Sequence, residues 1–241
     1  MEYLDLSFSS PAMNLALDEA LLDQADAGEL DGALRFWESS SFFVVLGYGN
    51  HLHLETRPER CKADAVPILR RCSGGGAVLQ GPGCLNYSIV LPIDRFPECE
   101  GIVSTNKFIM GRMKEALGSL SSSNVEVRGY TDLCLGAVKF SGNAQRRKKK
   151  AVLFHGTMLY QFDLATIPLY LAAPSKQPDY RQGRVHLDFI VNFEAPAEAI
   201  RLAIRDRWDA DKMRQLDASL YSRVEELFSR CYGLRDWNEK F

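Results

Sequence analysis

The 241 residues predict an α+β fold, helices interspersed with short antiparallel strands, and three observations carry that prediction. Apolar residues recur at helical spacing near the start and again in the last third of the chain. Short β-branched and aromatic runs separated by turn residues lie between them. Two runs of alternating character also flank a basic pentapeptide, as the arms of a hairpin would. There is no internal repeat and no long linker, so residues 1–241 are expected to form a single domain, and 46% apolar residues can build a substantial core.

In residues 11–26 the apolar positions Met13, Leu15, Ala16, Leu17, Ala20, Leu21 and Leu22 keep helical spacing, with Ser10 as N-cap and Gly28 just past the end. Strand-like LRFWE and FFVVLG follow across a serine-rich turn, then a polar helical stretch over 54–65 and a strand, VPILRR. That strand runs into Ser73, Gly74, Gly75 and Gly76, after which CLNYSIVLP reads as another strand that Pro92 ends. A helix is expected over 104–117 and strands over 125–127 and 133–138. The hairpin spans 139–159. Beyond it come an amphipathic segment over 163–171, the irregular SKQPDYRQGRVH, a strand-like DFIVNF, and helices over 196–208 and 210–231.

Composition narrows the function. Twenty-nine Lys and Arg against 31 Asp and Glu leave a net charge of -2, too little positive field to hold a nucleic acid without sequence preference. No apolar run approaches the roughly 20 residues of a membrane helix, and MEYLDLSFSS lacks the basic region that opens an export signal. Six scattered cysteines form no CxxC or Cys/His cluster, so neither a disulfide framework nor a metal site is expected. Reduced thiols and a cytoplasmic location are the expectation.

Two segments can carry chemistry. In RRCSGGGAVLQGPGCLNYS the backbone N–H groups of three glycines, beside two arginines, suit a phosphate or a carboxylate; the same letters also suit a tight turn with two surface arginines. Neither a Walker A loop nor the dinucleotide fingerprint is present. In the hairpin, strand parity puts Phe140, Gly142 and Ala144 on one face and Lys139, Ser141 and Asn143 on the other. If all five of Arg146, Arg147, Lys148, Lys149 and Lys150 form the loop, Ser141 faces His155 and Lys139 faces Thr157, gathering those four on one polar surface. A solvated edge with a snorkelling lysine, and a structural histidine, are the plainer readings.

Taken together, NLALDEALL, LRFWE, VVLGYGN, RRCSGGGAVLQ, LNYS, KFSGNAQRRKKKAVLFHGTML and SKQPDYRQGRVH resemble the catalytic domain of the biotin/lipoate protein ligase superfamily, most closely the lipoate protein ligase A branch. The resemblance implies a mixed, largely antiparallel central sheet with flanking helices. It further implies activation of lipoate or octanoate by ATP, with magnesium, as an acyl-adenylate, followed by transfer to a lysine of a lipoyl-domain carrier. By resemblance Lys139 is the catalytic lysine that contacts the phosphate and the acyl carbonyl. Arg71 is the arginine that meets the phosphate, and Gly76, Ala77, Val78 and Leu79 line the adenylate. Ser73, Gly74, Gly75, Asn86, Ser141, His155 and Thr157 complete the expected binding set. Many relatives carry a histidine where this chain has Gln80, and ligases of this branch often have an accessory domain or a separate small subunit, which is a possible partner here.

The nearest rival is an octanoyl or lipoyl transferase that needs no ATP and works through a cysteine thioester. Val152 occupies the position of one transferase branch's thiol, which leaves Cys134. Its offset of five from Lys139 puts it on the opposite face of an uninterrupted strand, although Gly136 can break that parity. A non-catalytic lipoyl-carrier-binding module is the rival from another class, and the presence of Arg71, the glycines and Lys139 argues against it. Arg184 and His186 can be either pocket-lining or structural.

Overall fold

The computed structural model describes residues 1–241. In chain order the strands are β1 (Glu2–Asp5), β2 (Ala33–Trp37), β3 (Phe43–Leu46), β4 (Ile68–Arg70), β5 (Val78–Gln80) and β6 (Cys84–Pro92), then β7 (Val125–Arg128), β8 (Asp132–Leu135), β9 (Val138–Arg147), β10 (Ala151–Leu159) and β11 (Lys212–Met213). The longer helices are α1 (Pro11–Ala27), α2 (Ile102–Gly118), α3 (Ala197–Arg207) and α4 (Ala218–Leu227). Eight strands form one sheet in the order β11-β1-β2-β6-β10-β9-β8-β7, and β4-β3-β5 form a small second sheet. The large sheet is antiparallel except where β1 runs parallel to β2 and β11. This is the mixed, largely antiparallel α+β architecture the sequence implies.

Alternation along the strands builds two cores. Leu34, Phe36, Tyr87, Ile89, Phe154 and Met158 face Ile109 and Met113 of α2 and Ile200 and Ile204 of α3. The opposite parity, Ala33, Trp37, Val90 and Leu153, faces Leu17 and Leu21 of α1, Leu220 and Val224 of α4, and Phe43 and Val45 of the small sheet. Because β6 is covered on both faces, all nine of its residues are buried, the polar Asn86 and Ser88 included.

Helix α1 obeys the signals written around it. The Ser10 hydroxyl accepts from the Met13 amide, Pro11 starts the first turn, and Gly28 at φ 80 ends the helix in the left-handed conformation. Two polar residues interrupt its buried face four residues apart. Asp18 accepts from Arg35 Nη1 at 2.5 Å, and Asn14 accepts from Arg35 Nη2 at 2.7 Å, with all three side chains buried. The arginine thereby ties α1 to the centre of β2.

Three local expectations are corrected. The last helix begins at Ala218 rather than 210, because Lys212–Met213 pair with β1 at the sheet edge and Asp217 accepts from the Leu220 amide to start a new helix. DFIVNF is not a strand: residues 186–189 form a helical turn, and Ile190 makes only a single bridge to Lys139. The hairpin loop is residues 148–150, not five residues, because Arg146 and Arg147 continue β9 and Arg147 pairs with Val152. Arg147 donates to the Cys99 and Glu100 carbonyls, Lys148 pairs with Asp23, and Arg146 lies 5.8 Å from the Tyr48 ring. The basic run is therefore largely engaged within the molecule.

Burial alone pushes the Asp18 carboxyl up, but Arg35 and the hydrogen bond from His155 outweigh it and hold it below the ordinary carboxylate range. A carboxyl that is the stronger acid when folded contributes stability above about pH 4, and that contribution is lost as pH falls through its lowered folded value. Asp18→Asn leaves Arg35 buried without its counter-charge and is expected to cost about 3–5 kcal/mol in urea unfolding at pH 7, with the difference from wild type narrowing below pH 4.

Candidate active site

The large sheet presents two cross-strand rows of side chains toward α1 and the small sheet. Arg35, Ser88, His155 and Ala144 form one row, and Trp37, Asn86, Thr157 and Gly142 form the next, each residue paired with its neighbour across β2, β6, β10 and β9. A cavity of about 850 Å³ lies over these rows, closed on one side by the triglycine turn with β5 and on another by residues 174–190.

Register and a bulge decide what faces it. Thr157 pairs with Gly142 and His155 with Ala144, a three-residue shift from the pairing expected of a five-residue loop. Between β8 and β9 the pairing slips, Cys134 opposite Lys139 and Leu133 opposite Ser141, so Phe140 is an extra residue that reverses the alternation. Phe140 consequently joins the core beneath the sheet, its ring tilted against that of Phe193 with centroids 4.7 Å apart. The expected polar group of Lys139, Ser141, His155 and Thr157 is corrected on one member. Ser141 pairs with Met158 on the core-facing side and accepts from Asn143 at 3.3 Å, although the residue still borders the cavity.

Lys139 folds back along β9 over Gly142. A Cβ at Gly142 would lie 2.7 Å from the Lys139 ammonium, so glycine is what clears its path. The ammonium sits 2.7 Å from Asp132 Oδ1, and Asp132 Oδ2 accepts from the Tyr180 hydroxyl at 2.7 Å. Tyr180 belongs to SKQPDYRQGRVH, so this carboxylate links the lysine to the segment covering the cavity. Arg184 is structural: it donates to the carbonyls of Ala137 and Tyr180 and ties the same segment to the β8–β9 turn. His186 borders the cavity, and burial, followed by the nearby Arg181, lowers its pKa.

Arg71 is buried and spends its guanidinium on its own turn, donating to the Gly74 carbonyl at 2.6 Å and the Gly76 carbonyl at 2.9 Å. Gly75, at φ +88, lets the chain curl this tightly, since a Cβ there would lie 2.8 Å from Arg71 Nη2. Burial lowers the Arg71 pKa to about 10. Gly75, Gly76, Ala77, Val78 and Leu79 border the cavity, together with Asn86. Ser73 and Gly74 lie behind its wall, where Ser73 Oγ is 2.5 Å from His155 Nε2. His155 Nδ1 is 3.4 Å from Asp18, so the histidine joins the glycine turn to the Asp18–Arg35 pair.

Cys134 is not on the opposite face. Gly136, at φ +57, turns the chain into a hairpin, and Cys134 becomes the direct cross-strand neighbour of Lys139. Its thiol is fully buried, 3.5 Å from the Tyr180 hydroxyl, and burial pushes its pKa up.

Sequence reasoning missed Asp18, Asp132 and Tyr180. Asp18 had a signal, a carboxylate on the apolar face of a helix four residues from Asn14. Asp132 and Tyr180 had none, because 48 residues separate them. No group of three or more His, Cys, Asp or Glu is arranged to hold a metal ion.

Gly142→Ala is expected to cost under about 1 kcal/mol, because the displaced atoms are the end of a flexible side chain, while swinging the Lys139 ammonium away from Asp132. Thermal unfolding beside a crystal structure of the variant checks both outcomes.

The chain resembles known proteins in sequence and in fold. The family description "Lipoyl protein ligase A/B catalytic domain" matches residues 10–193. A probable lipoate-protein ligase A of Mycoplasma pneumoniae is 32% identical over 237 residues, covering 95% of this chain and 68% of that protein. The match to a Mycoplasma genitalium relative, 33% identical over 67% of this chain, spans only 46% of that protein's length. The octanoyltransferase LipM of Staphylococcus epidermidis is 27% identical over 185 residues, 67% of this chain and 66% of that protein. Among solved structures, a bi-partite lipoate protein ligase from Thermoplasma acidophilum, described with its E2 lipoyl domain, superposes with a TM-score of 0.83 at 22% identity over 99% of this chain and 95% of that one. A lipoate-protein ligase A bound with ATP superposes with a TM-score of 0.80 at 26% identity, covering 99% of this chain and 98% of that one. The match over residues 10–193, which takes in α1, the triglycine turn and the hairpin that together enclose the cavity, means that this chain belongs to the lipoyl protein ligase A/B catalytic-domain family.

Proposed function

We propose that this chain is an ATP-dependent lipoate protein ligase. Lipoate or octanoate attacks the α-phosphate of ATP, pyrophosphate leaves, and the acyl-adenylate then gives its acyl group to a lysine amine of a lipoyl domain with release of AMP. The observation that carries the reading is the convergence of two cations from distant segments, Lys139 and Arg71, on one cavity with an apolar wall that includes Leu15, Trp37 and Val45. The relative bound with ATP and the bi-partite relative described with a lipoyl domain support the substrate and the acceptor.

The chemistry asks little of these residues beyond charge. As the carboxylate attacks, negative charge grows on the phosphate oxygens, and the Lys139 ammonium offsets it, a contribution of a few kcal/mol for a well-placed donor. Asp132 holds that ammonium at 2.7 Å until a phosphate competes for it. Arg71 adds a buried positive charge to the glycine turn without leaving it. In the second step the acceptor amine, with an ordinary pKa near 10.4, must be neutral, which costs about 4–5 kcal/mol at pH 7. Two nearby cations disfavour its ammonium form and reduce that cost. Magnesium enters as the counter-ion of the triphosphate, and no step here runs through it.

The transferase reading retains one favourable observation, the position of Cys134 beside Lys139. Against it stand the burial of that thiol and its raised pKa, since a thioester needs a thiolate open to its donor. We further propose that residues 1–241 act as one catalytic unit in the cytoplasm; the six free cysteines, and the lack of any helix long and apolar enough to cross a membrane, support this. The bi-partite relative, and one called subunit 1 of a lipoate-protein ligase A, support a separate accessory subunit as a second partner.

Purified protein with lipoate, ATP-Mg and a lipoyl domain is expected to release pyrophosphate and lipoylate the domain. Lys139→Ala should slow pyrophosphate release by about 10²–10³-fold. Cys134→Ala should stay within about threefold of wild type, as expected of a thiol that serves packing. Modification from an octanoyl carrier protein without ATP, abolished by Cys134→Ala, would overturn the ligase reading in favour of the transferase.

A further inference from the structure

Gln80 borders the cavity at the end of β5 and is 5% exposed, and its side-chain oxygen has no partner in the protein. The orientation of that amide is set by a chain of hydrogen bonds. Asn86 Nδ2 donates to the Cys84 carbonyl at 3.5 Å, which leaves Asn86 Oδ1 to accept. Thr157 gives its only hydroxyl proton to Asn86 Oδ1 at 2.8 Å. The Thr157 oxygen can then only accept on its other side, and it takes the Gln80 Nε2 proton at 2.9 Å. One backbone carbonyl thus fixes the polarity of three side chains, and the relay ends in a lone acceptor, Gln80 Oε1.

Nε2 keeps a second N–H beside the one given to Thr157, but Oε1 itself has no proton to give and cannot hold a phosphate, a carboxylate or an acyl carbonyl. It requires an N–H or O–H donor. Thr157 pairs with Gly142, and the Lys139 ammonium fills the space beside Gly142, so the relay adjoins the cation assigned to the acyl and phosphate oxygens. An oxygen-binding cation on one side and a lone acceptor on the other suit a nucleophile that carries N–H groups and attacks a carbonyl.

We propose that Gln80 receives and orients the attacking amine of the acceptor lysine, acting in the transfer step and not in acyl activation. The inference rests on the acyl-transfer reading above and assigns the group that meets the second substrate. As the amine nitrogen bonds to the acyl carbon, the bond from that carbon to the phosphate oxygen of AMP breaks, AMP leaves with that bonding pair, and the extra nitrogen proton passes to solvent water. Gln80 takes no proton; its oxygen accepts one N–H while the nitrogen lone pair points at the carbon. Histidine offers the same polarity, one N–H for Thr157 and one bare nitrogen for the amine, whereas methionine has the length of glutamine and neither group.

The test compares wild type with Gln80→Met and Gln80→His in two assays. Pyrophosphate release from ATP-Mg and lipoate without acceptor reports activation, and single-turnover lipoylation of a lipoyl domain reports transfer. Gln80→Met is expected to activate lipoate within about twofold of wild type, which also shows that it is folded, and to transfer about tenfold more slowly, equivalent to about 1.4 kcal/mol. Gln80→His should transfer within about threefold of wild type. Equal slowing of both steps in Gln80→Met, unchanged transfer, or a Gln80→His variant as slow as Gln80→Met would each overturn the proposal. If wild type instead transfers octanoate from a carrier thioester without ATP, the ligase reading fails while amine attack remains, and the same comparison is made in that assay with the same criteria.

Discussion

The carboxylate of Asp18 is the point on which the rest of the molecule closes. It lies within the buried face of the first helix, bonds Arg35 in the middle of the sheet at 2.5 Å, and reaches His155, which in turn meets Ser73 at the root of the glycine turn. Helix, sheet and turn come from separate stretches of chain, and this is where their polar groups meet. Such a group is costly to bury without partners and specific once they are present. The strong burial of Arg35, Asp18 and Ser73 therefore fixes where the glycine turn stands above the sheet.

The two cations of the cavity are held on different terms. Arg71 is enclosed by carbonyls of its own turn and shapes the wall as it charges it. Lys139 is partly exposed, with 26% of its side chain accessible, and its partner Asp132 also bonds Tyr180 from the covering segment. A lysine held by one carboxylate at the edge of a cavity can exchange that partner for a ligand oxygen at modest cost, because a partly solvated ion pair is worth little. Arg71 would forfeit several hydrogen bonds in the same exchange. The mobile charge and the structural charge are thus distinguishable from their partners alone.

Much of this was legible beforehand. The first helix could be bounded because its cap residues act locally, and the cavity-lining glycine block and Lys139 stood out because their chemistry is carried by residue type and short spacing. Parity arguments failed where a single residue was miscounted. Phe140 is an extra residue against β8, so Ser141 turned to the core; Arg146 and Arg147 belong to the sheet and Lys148 bonds across to Ala151, so the pairing with β10 shifted by three. For Cys134 the parity of an uninterrupted strand does not apply, since the chain turns at Gly136, where the sequence allowed a break, and the residue becomes a neighbour of Lys139.

By itself the sequence determined the α+β class, the opening helix with its caps, and the presence of a glycine turn and a hairpin lysine, all of which depend on contacts within a few residues. Tertiary structure alone decided which side chains share a face, that Asp132 and Tyr180 accompany Lys139, and that Gln80 ends a relay begun at a carbonyl of β6. The reason is geometric. A bulge or a shortened loop costs little locally yet moves every later residue of a strand to a new partner, and only the packed sheet selects among those registers.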